Sequence, residues 1–242
     1  MKTWPWWCWS VCVLAGCATD SGRDSASVNS ALPARYEEEK LDTARIDAGK
    51  QQVMLGMVRD LQAKQQHYAA LAQIRAYELQ WGRSPELTLM QAESLRQTQQ
   101  YMLAGDLYQR LLASPLEGLA YKGLGLMAAQ QKQMNNAAKW LEEAALRLPA
   151  DPDVQSDLGY AWLVLGRVKS AEVALKTAAE LVPEEPRYAA NLATYYLRMG
   201  DVNQARRWLS HPKLSDQARQ AAYDLAQALR NGKVTEANSL RQ

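Results

Sequence analysis

The sequence predicts an all-α protein in which helical hairpins stack into a solenoid. The segment from Gly118 to Pro149 is followed by a second segment, Pro152 to Pro183, that has the same pattern 34 residues later. A repeat of this length corresponds to one pair of antiparallel helices. Hydrophobic residues make up 48% of the 242-residue chain and phenylalanine is absent. This composition suits close-packed helices, so we expect almost no β-strand.

The repeat is defined by positions that match between the two segments. These positions pair Tyr121 with Gln155, Leu124 with Leu158, Gly125 with Gly159, Ala137 with Ala171, Leu141 with Leu175, Ala144 with Ala178 and Pro149 with Pro183. In each unit a small residue of the first helix is expected to face a small residue of the second, which lets the two helices approach closely. A proline then ends the second helix, because it lacks an amide hydrogen and clashes with the preceding turn.

The array is predicted to cover residues 84–211. Residues 186–211 continue the 34-residue period, whereas the unit over residues 84–115 fits if it is one residue shorter. The N-terminal helices, residues 35–83, include a degenerate first unit from Gln51 to Trp81 with helical periodicity but a blurred motif.

The end of the chain, residues 212–242, is predicted to form C-terminal capping helices. Ser215 is a candidate N-cap for a helix from Asp216 to Arg230, and a last short helix is expected from Val234 to Leu240. Repeat arrays need such atypical ends to cover the exposed face of the last unit.

These residues resemble the tetratricopeptide repeat, with its small residue at the eighth position, alanine at the twentieth and proline at the thirty-second. The resemblance implies a right-handed superhelical solenoid whose partner-binding groove is lined by the first helix of each unit. Carried onto this sequence, the groove residues are Leu89, Leu119, Lys122, Leu126, Ser156, Tyr160, Leu163, Arg187, Asn191, Thr194 and Leu197.

Apolar side chains dominate the middle of this predicted groove. They favour a partner that presents an amphipathic helix or an extended apolar segment. The polar groups Lys122, Arg187 and Asn191 are too dispersed for the carboxylate clamp used by some repeats of this family. The alternative, that the groove residues pack against a neighbouring helix of the same chain, stays open.

The N-terminus has the order of a bacterial secretory signal. Residues 1–16 contain Lys2, an apolar run from Trp4 to Leu14 that is too short to span a membrane, and small residues before Cys17. The ending Leu-Ala-Gly-Cys resembles the lipobox of bacterial lipoproteins, which implies that Cys17 is acylated and becomes the first mature residue. The alternatives are an ordinary signal peptide with a chance cysteine, or a cytosolic protein with a tryptophan-rich start.

Residues 17–34 are rich in Ser, Ala and Asp and are predicted to be a disordered tether. Ala18 follows the cysteine where many inner-membrane lipoproteins of enteric bacteria carry Asp. By that resemblance, the protein is expected at the periplasmic face of the outer membrane, held by its acyl chains.

Catalysis is not expected. The two histidines, His67 and His211, have no partner at metal-ligand spacing, and His67 is expected at a solvated helix start. We expect no cofactor, metal or small-molecule substrate. Basic and acidic residues are interspersed, 28 against 26, so nucleic acid is not an expected partner either. Three tryptophans, Trp140, Trp162 and Trp208, are expected to pack in the core.

The lipobox, the polar tether and the array together resemble the lipoproteins of pilus assembly and secretion machines. From Ser84 to Leu229 the chain is most similar to the TadD lipoproteins of tight-adherence (Flp, type IVb) pili. The resemblance implies a pilotin that holds a secretin subunit, through its C-terminal segment, for assembly in the outer membrane. The alternatives are a lipid-anchored adaptor for cell-wall enzymes or outer-membrane protein assembly, and an enzyme.

Overall fold

The computed structural model describes residues 31–231, with side chains except those of residues 31–39 and 41–44. Within this range the chain forms α-helices joined by short turns and no β-strand, as the sequence predicted. The helices are α1 (Ala31–Ala63), α2 (His67–Trp81), α3 (Pro85–Gln97), α4 (Tyr101–Leu111), α5 (Glu117–Gln130), α6 (Met134–Arg147), α7 (Pro152–Val164), α8 (Val168–Leu181), α9 (Pro186–Met199), α10 (Val202–Leu209) and α11 (Asp216–Arg230).

Several predicted features lie outside the described residues. They are the signal peptide at residues 1–16, Cys17, most of the tether and the helix expected from Val234 to Leu240. The last residues assigned to the tether, from Ala31, belong to α1 instead. None of the described helices is long and apolar enough to cross a lipid bilayer.

The chain divides into two compact units, residues 1–48 and residues 49–242. In the first unit the structure describes the beginning of α1, where the side chains from Arg45 to Ala48 are exposed. The second unit contains the remainder of α1 and α2, the hairpins α3–α4, α5–α6, α7–α8 and α9–α10, and α11, which packs against α9. The predicted helix from Asp216 to Arg230 is confirmed, and Ser215 caps it by accepting a hydrogen bond from the Ala218 N–H at 3.1 Å.

Every hairpin turns at a residue with left-handed backbone geometry. The φ angles are 59° at Gln65, 61° at Gln99, 63° at Lys132, 79° at Gly166 and 82° at Gly200. After each of these residues, the next N–H donates to a carbonyl five residues back, at 2.8 to 3.0 Å, which is the Schellman way of ending a helix.

The spacing of these turns reports the repeat directly. They recur every 34 residues, except for an interval of 33 between Gln99 and Lys132. The unit that begins near Ser84 is therefore one residue shorter, as its sequence predicted. Because Gln65 turns in the same way, the hairpin before Trp81 has the geometry of the other units.

Glycine allows the two helices of a hairpin to meet. A Cβ atom added at Gly125 would lie 2.6 Å from Cγ of Leu141, and one added at Gly159 would lie 2.6 Å from Cγ of Leu175. No carbon pair tolerates that separation, so the leucine of the second helix uses the space that a side chain would fill. The expected neighbour Ala137 stands beside this contact, with its carbonyl oxygen 3.4 Å from the same point.

The core runs along the array as a series of clusters between successive helices. Trp140, Trp162 and Trp208 are partly buried against these clusters, so their expected packing role is confirmed. His67 corrects another expectation, because the first side chain of α2 is buried rather than solvated. Burial lowers the pKa of His67 below its ordinary value, and its Nε2 lies 3.2 Å from Oε1 of Gln65.

The left-handed turns predict the effect of exchanging their residues. Ala at Gly166 is expected to lower the free energy of unfolding by about 1–2 kcal/mol, because a Cβ destabilises left-handed backbone. Crowding does not contribute, since the nearest atom to the added Cβ is Nη2 of Arg198 at 3.8 Å. The matched variant Lys132→Gly should be as stable as the parent chain or more stable. Urea denaturation measures both, and an unchanged Gly166→Ala variant would contradict this account of the turns.

Candidate functional site

The candidate site is the surface formed by the first helices of successive hairpins, α3, α5, α7 and α9. We refer to it as the first-helix surface. Pro85, Pro152 and Pro186 each occupy the first turn of their helix, where a missing N–H costs nothing. The side chains of Ser84 and Asp151 accept hydrogen bonds from the N–H groups of Leu87 and Val154, both at 3.1 Å. These caps start α3 and α7 in the same register.

The predicted groove residues divide into two groups by burial. The partly exposed group is Leu89, Leu119, Lys122, Leu126, Tyr160, Arg187 and Asn191. The buried group is Ser156, Leu163, Thr194 and Leu197. This corrects the expectation of one open apolar groove that reaches Leu197, because the four buried side chains are enclosed by the chain itself.

The C-terminal helix is one cause of this burial. Leu163 is 0% exposed and lies in a cluster that also contains Leu225 and Leu229 of α11. Leu197 lies in a second cluster that contains Ala222 and Ala226 of the same helix. The alternative of packing within the chain therefore holds for the α9 end of the first-helix surface.

Hydrogen bonds between helices account for the polar members of the buried group. Ser156 on α7 accepts a hydrogen bond from Nδ2 of Asn191 on α9 at 2.9 Å. Thr194 donates within its own helix to the carbonyl oxygen of Ala190 at 2.9 Å. These groups satisfy one another, so Asn191 serves the contact between two repeats.

An ion network links three first helices where the sequence predicted an apolar stripe. Nζ of Lys122 on α5 lies 3.3 Å from a carboxylate oxygen of Asp151 and 3.0 Å from one of Asp153 on α7. Arg187 on α9 contacts Asp153 and donates to Oδ1 of Asp157 at 2.8 Å. Lys122 and Arg187, which seemed dispersed along the chain, therefore meet at Asp153.

The electrostatics of Asp153 follow from this position. Burial raises its pKa, but the hydrogen bond from the Tyr188 hydroxyl at 2.7 Å and the charges of Lys122 and Arg187 outweigh burial. The net effect is a pKa below the ordinary value, so Asp153 is charged at neutral pH. Burial lowers the pKa of Arg187, but the carboxylates of Asp157 and Asp153 more than compensate and raise it.

A second polar cluster lies on α3. The buried Arg96 donates from Nε to Oε2 of Glu93 at 3.0 Å, and the Tyr108 hydroxyl donates to the same oxygen at 3.0 Å. Burial raises the pKa of Glu93, but the charge and hydrogen bond of Arg96 reverse the effect and lower it. A Cβ added at Gly123 would lie 2.2 Å from the Tyr108 ring, so Gly123 makes room for the phenol.

Sequence reasoning missed Asp157 and Tyr188 as parts of this surface. A usable signal existed, because Arg187 stands 34 residues after Asp153, at the same position of the next repeat. Opposite charges at equivalent positions of neighbouring repeats are brought together by the stacking of their first helices. The motif comparison concentrated on apolar and small residues and passed over this pairing.

Comparison with known proteins agrees with the fold. Residues 128–193 match the family model described as tetratricopeptide repeat. The TPR repeat-containing protein PA4299 of Pseudomonas aeruginosa is 28% identical over 205 residues, which cover 84% of this chain and 75% of that protein.

Two solved structures share the architecture. TTC0263, a thermophilic TPR protein of Thermus thermophilus, has a TM-score of 0.60 at 22% identity, covering 73% of this chain and 98% of its own. The pilF protein of Pseudomonas aeruginosa has a TM-score of 0.59 at 16% identity, covering 76% and 88%. The chain is thus a solenoid of helical hairpins, and more particularly a tetratricopeptide-repeat protein, a class that works through protein–protein contacts.

The ion network predicts a large effect of Arg187→Ala on stability. Removing this cation takes one positive partner from Asp157, whose side chain is 2% exposed. We expect the free energy of unfolding to fall by about 2 kcal/mol, less than for a fully buried pair because Arg187 is partly exposed. The control is Arg206→Ala, an exposed arginine on α10 whose loss should change stability by less than about 0.5 kcal/mol.

The same variant has a defined pH dependence. Because the folded-state pKa of Asp153 lies below its ordinary 3.8, its stabilisation is present above that pH and is lost as the pH falls through the folded-state value. The difference between the parent chain and Arg187→Ala should narrow below about pH 4. Urea titrations at several pH values test this, and a constant difference down to pH 2.5 would argue against the network.

Proposed function

We propose that this chain is a lipid-anchored pilotin, which binds a secretin segment on its first-helix surface and delivers it to the outer membrane during Tad/Flp-type pilus assembly or secretion. The support comes from the resemblance of residues 84–229 to TadD lipoproteins and from the lipobox ending at Cys17. No catalytic step and no cofactor belong to this proposal.

The observation that carries the binding step is the uneven closure of the first-helix surface. Leu89 on α3, Leu126 on α5 and Tyr160 on α7 keep partly exposed side chains, whereas Leu197 on α9 is buried in a cluster with α11 residues. The partner segment is therefore assigned to the stretch from α3 to α7. An apolar side chain that covers this stretch gains about 25 cal/mol for each Å² removed from water.

The ion network adds a preference for charge. Its carboxylates are Asp151, Asp153 and Asp157, and its cations are Lys122 and Arg187, so one negative charge remains in excess. Asp153 keeps 43% of its side chain exposed and can accept a further hydrogen bond. A partner helix with apolar residues on one face and a lysine or arginine at its edge fits this surface.

The binding step is tested by Leu126→Glu combined with Tyr160→Glu. Both substitutions place a charge where an apolar partner would bury it, so we expect secretin multimers to be lost from outer-membrane fractions. The matched control is Met102→Glu on α4, where the side chain is 80% exposed and lies away from the first helices. Immunoblots of unheated samples measure the multimers, and circular dichroism checks folding. Normal multimers in a folded double variant would refute binding at this surface.

The anchor is tested by Cys17→Ser. The parent chain should incorporate an alkyne-tagged fatty acid and fractionate with the outer membrane, whereas the variant should do neither, because it lacks the thiol that takes the acyl chains. Secretin multimers should then be mislocalised while the helical body stays folded. A variant that is still labelled, or a parent chain that never is, would contradict the lipoprotein assignment.

The alternative function is a lipid-anchored adaptor for another envelope machine, such as cell-wall enzymes or outer-membrane protein assembly. A deletion strain separates the two proposals. Loss of secretin multimers supports the pilotin, and unaffected multimers with a defect in the cell wall or in outer-membrane proteins support the adaptor.

A further inference from the structure

Two clefts open between the second helices of successive hairpins, away from the first-helix surface. The α6/α8 cleft has a volume of about 520 Å³, and the α8/α10 cleft has a volume of about 300 Å³. Their linings correspond residue by residue at an offset of 34. The pairs used here are Leu158 with Leu192, Trp162 with Tyr196, Leu146 with Glu180, Val173 with Arg207 and Glu142 with Lys176.

The two clefts share a floor but differ at the rim. Leu146 and Val173 at the first cleft are 75% and 68% exposed, and at the second cleft Glu180 and Arg207 occupy the equivalent positions. The repeat scaffold therefore accepts charged residues at both rim positions. Packing within the chain does not require Leu146 and Val173 to be apolar, and their exposure to water is unfavourable.

The floor of the α6/α8 cleft is held in place. The indole Nε1 of Trp162 donates to Oε1 of Glu142 at 2.8 Å, and Nη1 of Arg167 donates to the same oxygen at 2.8 Å. A fixed aromatic floor with an apolar rim is a preorganised receptor for one bulky apolar side chain, because little entropy is lost when the side chain binds.

The α8/α10 cleft carries positive charge. Lys176 and Arg207 line it together with Glu180, which leaves one positive charge in excess. The Lys176 ammonium already donates to Oε1 of Glu172 at 2.6 Å. Within the described residues no side chain pairs with the Arg207 guanidinium, which presents its planar set of donors to solvent.

We propose that the two clefts together form a docking surface for an acidic amphipathic helix of a partner protein. The helix places a bulky apolar side chain against Trp162 and a carboxylate against Arg207. Charge complementarity selects an acidic partner, because the apolar cleft is followed by a cationic one. This surface is separate from the pilotin proposal and does not depend on it.

The repeat sets the spacing of the two groups on the partner. Neighbouring helices of one layer stand about one helix diameter apart, roughly 10–12 Å. Residues seven apart on a helix are about 10.5 Å apart along its axis and lie on nearly the same face. The partner helix therefore carries its apolar anchor and its carboxylate about seven residues apart.

The probe is a pair of fluorescein-labelled helical peptides on an alanine and glutamine background. Each carries one leucine and one glutamate seven residues apart, in the two possible orders. At least one should bind the full chain in fluorescence polarisation and shift the Trp162 indole N–H resonance, which is assigned with Trp162→Phe. A Trp162 resonance that moves with neither peptide overturns the proposal.

The double variant Leu146→Glu/Val173→Arg copies the rim of the second cleft into the first, so the scaffold is expected to fold. It should weaken peptide binding at least ten-fold. Arg207→Glu should weaken binding of the glutamate peptide about ten-fold and leave the matched glutamine peptide unchanged. Equal affinity of the double variant for the peptide, or no difference between the two peptides at Arg207→Glu, contradicts the proposal.

Two further measurements separate the alternatives. Leu126→Glu on the first-helix surface should leave peptide affinity unchanged, and the cleft double variant should leave secretin multimers unchanged, so failure of one proposal is distinguishable from failure of the other. Vesicles of phosphatidylethanolamine and phosphatidylglycerol serve as the second probe. If they move the Trp162 resonance and the peptides do not, the cleft contacts lipid and the protein-partner proposal is refuted.

Discussion

The close approach of two helices within each hairpin is the contact on which the rest of the array depends. At Gly125 and Gly159 the missing side chain leaves the space that Leu141 and Leu175 fill, with 2.6 Å between each Cγ and the point where a Cβ would lie. The left-handed turns then reverse the chain at a constant interval. Because packing and turn recur together, every later unit repeats the placement of its side chains, and the surfaces of the protein inherit the same period.

This periodic scaffold explains how charges that are far apart in sequence meet. Arg187 and Asp153 occupy the same position in neighbouring repeats, and stacking of α7 and α9 brings them into contact. Lys122 joins them from α5. The network spans three hairpins, and the pKa of Asp153 is lowered by cations that come from both neighbours. Ionic contacts thus complement the apolar clusters in holding successive units in register.

The same periodicity separates what folding needs from what remains for binding. Leu158 and Leu192 are buried at equivalent positions, because both are floors of the solenoid. Val173 and Arg207 are also equivalent, yet one is apolar and one is charged, so the scaffold is indifferent to them. A repeat protein therefore contains its own comparison, in which a residue that departs from its counterpart without a packing reason marks a surface available to a partner.

The sequence by itself determined the helical hairpins, their 34-residue period, the shortened unit and the helix that Ser215 caps, because small residues, prolines and caps act through local geometry. It also placed Leu89, Leu126 and Tyr160 on one surface. Only the tertiary structure decided that Leu163 and Leu197 are buried in clusters with α11 residues and that Arg187 meets Asp157. Those facts depend on how separate helices pack across the array, and periodicity within one unit carries no information about which neighbour will cover it.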